Sequence, residues 1–153
     1  MSTGHLWLVF AVLTSTPSGP SLQPARPPVE EPAAFFSRFV DLEQAYDTRV
    51  ADLYADDAVI TNKRHYPTGE VRELTFPAPK YKALIRQAMP LAKGRGDRST
   101  YSRCTYEPQD GRVRITCSRY SELKKYTSPY TLVIGRDRSG AWQIREELSE
   151  SRP

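Results

Sequence analysis

The chain has 153 residues, of which 39% are hydrophobic and 26% charged, and a formal net charge of +4. This balance fits one globular domain with its own core and excludes a wholly disordered chain. Two cysteines and two histidines are too few for a zinc cage or a His-rich metal centre, and the positive charge is too dilute for a nucleic-acid stripe.

Residues 1–21 read as a signal peptide. Leu6–Leu13 (LWLVFAVL) is an apolar run too short to span a membrane, and small and breaker residues follow it. A cut after Ser21 places Gly19 and Ser21 at the small-residue positions. A membrane-associated leader or an unstructured start is the alternative. The expected location is secreted or periplasmic, with no integral span in the mature chain. Residues 22–32 (LQPARPPVEEP) are a proline-rich linker that ends with a proline suited to a first helical turn.

Residues 33–55 are helical by spacing. Phe35, Phe39, Leu42 and Tyr46 form one stripe, Asp47-Thr48 offers a break and a new cap, and Val50, Leu53 and Tyr54 form a second short face. A turn at Asp56-Asp57 leads to a strand over 58–62, and a second short strand over 70–74 follows the turn at Pro67–Gly69. His65 sits among Lys63, Arg64 and Tyr66 and reads as a surface histidine. Tyr81, Leu84, Ile85, Ala88 and Met89 mark a helix over 77–89 that Pro90 should end.

Residues 99–120 form a hairpin closed at Asp110-Gly111, because a type I′ turn needs positive φ at both central positions. The register pairs Gln109 with Arg112 and, five steps out, Cys104 with Cys117. That pair falls on a non-hydrogen-bonded site, where Cα atoms approach to about 4.5 Å, within disulfide reach. Cys104, Tyr106, Val113, Ile115 and Cys117 face one way; Arg103, Thr105, Glu107, Arg114 and Thr116 face the other. Strands over 129–135 and 141–148 close the chain, with Trp142 and Ile144 on one face.

A helix pair running into LYADDAVI (Leu53–Ile60), and a closing hairpin ending in Trp142-x-Ile144, resemble the nuclear transport factor 2-like superfamily. That superfamily includes SnoaL-like polyketide cyclases and ketosteroid isomerases. The resemblance covers residues 33–150. It implies an α+β cone in which a curved antiparallel sheet wraps around N-terminal helices and encloses a pocket. It also implies a homodimer formed through the sheet.

Under that resemblance, strand parity puts Asn62, Arg119 and Glu146 at the pocket mouth, with Tyr46, Tyr106 and Trp142 as further pocket candidates. Arg119 would bind an anionic or carbonyl group, and Glu146 would orient it or move a proton. A plain Arg119–Glu146 cross-strand pair is the alternative. Ketosteroid isomerases carry an aspartate base on the strand after the ADDA-type turn. The matching residue here is Asn62, which takes no proton at neutral pH, so isomerase chemistry is disfavoured. No cofactor, metal or nucleic-acid partner is expected. Three functions remain: a secreted or periplasmic binding or accessory protein for a small apolar or anionic ligand; a cyclase-, dehydratase- or isomerase-type pocket enzyme; and a protein-interaction module with an aromatic patch at Tyr101, Tyr120 and Tyr126.

Overall fold

The computed structural model describes residues 30–153. The expected leader at 1–21, and the linker up to residue 29, lie outside the described residues. Helix α1 (Pro32–Gln44) opens on its proline and buries Phe35, Phe36 and Phe39. The chain then turns at Tyr46, which takes a left-handed φ of 55°. Asp47 restarts it as the cap of a 3-10 turn over Thr48–Leu53, accepting a hydrogen bond from the Arg49 N–H at 2.9 Å.

Strand β1 (Tyr54–His65) and strand β2 (Val71–Pro77) lead into helix α2 (Ala78–Arg95). Contrary to expectation, α2 runs through Pro90 and ends at Gly96, in the left-handed conformation with φ 62°. A proline removes one N–H and crowds one carbonyl. Here the Pro90 ring is exposed, and the glycine supplies the stop by satisfying the last carbonyls.

Strands β3 (Ser99–Gln109), β4 (Arg112–Ser121), β5 (Tyr126–Arg136) and β6 (Trp142–Ser151) complete one six-stranded sheet in the order β2-β1-β6-β5-β4-β3. Every neighbouring pair is antiparallel except β1 and β6, which run parallel. The fold is α+β, as expected, but the sheet is not purely antiparallel. The second covering helix, expected over 77–89, lies between β2 and β3. The core sits between the sheet and the helices, with Phe35, Ile60, Leu132, Ile134 and Ile144 fully buried. Each such side chain contributes about 1.5–3 kcal/mol.

The β3–β4 hairpin has the expected turn, with φ of 50° at Asp110 and 75° at Gly111, and the expected register from Gln109–Arg112 to Thr105–Thr116. Cys104 and Cys117 form a disulfide with Cα atoms 4.2 Å apart, closing a loop of sequence separation 13. Confining that loop in the unfolded chain is worth about 3 kcal/mol. Replacing both cysteines with serine should lower the urea midpoint accordingly. An unchanged midpoint would show that the bridge adds nothing to stability.

Candidate functional site

Two β-bulges decide which side chains reach the interior. Beyond Cys104 the hairpin register slips, so that Ser102 pairs with Ser118 and Tyr101 with Arg119. Arg103, at φ 53°, is the extra residue. One added residue reverses every later side chain. Tyr101 therefore turns inward beside Arg119. A second slip leaves Arg145 unpaired between Ile134–Ile144 and Val133–Glu146. Upstream of it Trp142 and Ile144 are buried; downstream the buried residues are Glu147 and Ser149.

Glu147 is the most deeply placed charged group among the described residues. Tyr54 and Tyr81 each donate a hydrogen bond to it, the latter at 3.0 Å. Burial raises its pKa above the ordinary carboxyl range, opposed by those hydroxyls and by the positive charge of Arg119. A second carboxyl, Glu43 on α1, enters from the helical side. Tyr101 donates to its Oε2 at 2.8 Å. Burial pushes Glu43 up to about 7, against the hydrogen bond from Tyr101 and the charge of Arg119.

Arg119 crosses the Tyr130 ring at 5.3 Å and donates to the Glu150 carbonyl at 2.6 Å. Its Nε is buried and has no hydrogen-bond partner among the described residues. Tyr54, Tyr81, Tyr101 and Tyr130 are all held above the ordinary tyrosine pKa, first by burial, so they stand as neutral phenols. Glu43, Arg119 and Glu147 line a cavity of about 70 Å³ together with the apolar side chains of Phe39, Val50, Ile85 and Met89. Larger hollows, of about 280 and 430 Å³, lie on the outer sheet face and beside Trp142. The small one is where ionisable groups are gathered and withdrawn from water.

Of the residues expected at the site, Arg119 lies on this cavity. Asn62 points inward further along β1, donating to Ser149 Oγ at 2.9 Å and accepting from Ser151 Oγ at 2.7 Å. Glu146, expected inward, faces out and pairs with Arg112 at 3.3 Å, because the bulge at Arg145 reverses its side. Tyr46 lies apart with Arg98 over its ring, Tyr106 is half-exposed against Phe36, and Trp142 donates to the Glu30 carbonyl at 2.7 Å. The expected surface aromatic patch is not assembled. Tyr101 is inside, and the Tyr126 hydroxyl is tied to the Arg152 N–H.

The sequence reading missed Glu43, Glu147 and the four tyrosines as one set. Two signals pointed to them. Glu43 follows Phe35 and Phe39 at steps of four, on the buried stripe. Gly135 is a glycine inside a strand; a Cβ there would lie 3.2 Å from the bulged Arg145 side chain.

A curved sheet around two helices, with ionisable groups gathered in its hollow, is the nuclear transport factor 2-like fold. No protein-family model and no curated protein sequence matches the chain. Solved structures do match. A nuclear transport factor 2-like protein of unknown function from Pseudomonas putida KT2440 is 15% identical over 76% of this chain and 80% of its own, with a TM-score of 0.59. A Shewanella frigidimarina protein, provisionally named a ketosteroid isomerase, is 18% identical over 78% of this chain and 95% of its own, at 0.56. A nuclear transport factor 2-like protein from Cytophaga hutchinsonii is 13% identical over 76% and 91%, at 0.53. At these identities the likeness is one of fold.

The Glu43 carboxyl holds its proton more tightly folded than unfolded. Its contribution to stability is therefore full below about pH 4.5 and is lost as pH rises through about 7. Full ionisation costs roughly 3 kcal/mol. The lowered carboxyls, Asp47, Asp56 and Asp137, titrate below that window. Urea midpoints at pH 5 and pH 8 should thus differ less in Glu43→Gln than in the native chain. An equal difference in both would remove Glu43 as the source.

Proposed function

We propose that this chain is an exported binding protein that takes a small anionic or carbonyl-bearing molecule into the hollow of its sheet, without catalysis. The observation that carries this reading is the orphaned Nε of Arg119 on the cavity wall. A buried donor left unmade costs about 1–3 kcal/mol, which an accepting ligand would recover. Glu43 Oε1, which receives no hydrogen bond from the described residues, offers a second contact. The small volume, about 70 Å³, favours a ligand of a few non-hydrogen atoms. Asn62 supports the non-catalytic reading: both ends of its amide are engaged by serine hydroxyls, and it offers no base.

A second reading, a proton-transferring pocket enzyme, has one observation in its favour. Glu43, at about 7, is poised between acid and base at neutral pH. In that reading Glu43 rather than Asn62 is the proton carrier.

Export rests on the apolar run Leu6–Leu13 and the Cys104–Cys117 bridge, which suits an oxidising compartment. Among the described residues no helix is long and apolar enough to cross a membrane. The proposed mature form is a linker over 22–32 and a domain over 33–150. Intact mass after periplasmic expression should show a species trimmed at about residue 21 that resists alkylation until reduced. A full-length species with free thiols would end the export reading.

For binding, ligand-observed NMR against a panel of three- to six-atom polar molecules should find binders whose signal is lost in Arg119→Met. Absence of any binder to the native chain would end the pocket reading.

A further inference from the structure

We infer that the interior pocket takes a short-chain monocarboxylate, of acetate or propionate size, and that Glu43 binds one proton when the ligand enters. This deepens the binding reading above and rests on it.

The charge balance of the pocket is the first ground. Seven titratable groups face one another there from every packed element: Glu43 from α1, Tyr54 from β1, Tyr81 from α2, Tyr101 from β3, Arg119 from β4, Tyr130 from β5 and Glu147 from β6. Asp97, between α2 and β3, acts on Glu43 from further away. Arg119 is the single cation, and it forms no ion pair with any described residue; it touches a carbonyl oxygen and the face of a phenol ring. One buried guanidinium can balance one buried anion. Two acids draw on that one charge: Glu147, and Glu43 whenever its proton is lost. Glu147 has both oxygens occupied by tyrosine hydroxyls and is fully buried, so it is the less available.

An incoming carboxylate competes with Glu43 for the same positive charge. If Glu43 gives up its charge by taking a proton, it gains an O–H. Its Oε1 then donates to one carboxylate oxygen while the Arg119 Nε–H donates to the same or the other oxygen. Both unpartnered atoms are thereby satisfied. Glu43 is the site of uptake because it sits nearest to even protonation at neutral pH.

Shape and polarity are the second ground. The lining combines Arg119 and the two carboxyls with four apolar side chains, Phe39, Val50, Ile85 and Met89. A carboxylate with one or two carbons beyond it matches both kinds of lining, its charged end with Arg119 and its alkyl end with the apolar side chains. Phosphate or sulfate would press oxygens against the apolar side chains, and the small volume of about 70 Å³ favours a short chain over a ring.

The test is calorimetry of acetate binding to the full chain at pH 7.5, in two buffers of different ionisation enthalpy, with acetamide as the uncharged control. The buffer dependence should report uptake of up to one proton. Acetate affinity should fall about tenfold per pH unit above 7, because only the protonated fraction of Glu43 binds. In Glu43→Gln the side-chain amide still donates, so binding should persist with no proton uptake and no pH slope. In Arg119→Met it should be lost, with circular dichroism verifying the fold. Acetate binding without proton uptake would overturn the inference, as would acetamide binding as well as or better than acetate. Both results leave the pocket reading intact. Binding of neither acetate nor acetamide, nor of any molecule in the NMR panel, would remove the pocket itself.

Discussion

The carboxyl of Glu147 lies in the middle of the core, and the interior is arranged around the cost of keeping it there. An unpartnered buried carboxylate would cost several kcal/mol. Tyr54 and Tyr81 meet both of its oxygens, and they come from β1 and α2. Glu147 itself belongs to β6, the parallel partner of β1. One residue thus ties the parallel strand pair to the covering helix. The Tyr54 and Tyr81 rings stand edge to face at 5.4 Å, and Phe76 packs on Tyr81 at 5.8 Å, so the hydroxyls are held by packing as well as by the carboxyl.

Two local irregularities carry Glu147 and its neighbours to that place. Were β6 regular through Arg145, with no bulge there, the inward residues after Ile144 would be Glu146 and Leu148, and the core would meet a different acid. Were β3 regular through Arg103, Ser102 would face inward in place of Tyr101, and Glu43 would lose its donor. The Cys104–Cys117 bridge flanks the first bulge and fixes the last regular pair before it. Arg145 is braced by Asp57 at 3.1 Å and by the Arg136 carbonyl at 3.2 Å, so the second bulge is secured from the outer side.

The parts of this architecture that were legible in the sequence are those governed by local rules. The Asp110-Gly111 turn fixed a register, and that register brought Cys104 to Cys117. The helical stripe of α1 and the break at Asp47 depend on periodicity and capping. The order of elements sufficed for the cone. The candidate site was legible only in Arg119 and in the inward face of Asn62. The rest depended on face parity carried across a bulge. An arginine at φ 53° leaves no mark in the sequence, as a glycine or asparagine would. Tyr101 was the faint exception: it is out of phase with Cys104 and Tyr106, an aromatic on what should have been the polar side. Pro90 misled for a related reason. A proline near a helix end on an exposed face costs one hydrogen bond, and the glycine at 96 outweighed it.

The tyrosines also set the size of what the hollow can hold. Tyr101 and Tyr130 lie 5.2 Å apart, with Arg119 stacked on the latter, and Phe39 closes on both. In an open cone this volume would belong to a ligand. Here it is filled by rings whose hydroxyls serve the buried carboxyls. Rotating Tyr81 or Tyr101 aside would enlarge the cavity, but it would also strip a hydrogen bond from Glu147 or Glu43. Each such loss leaves a buried acceptor unsatisfied. The interior therefore resists widening by the same contacts that make its acids tolerable. The small size of the hollow thus follows from how the acids are satisfied.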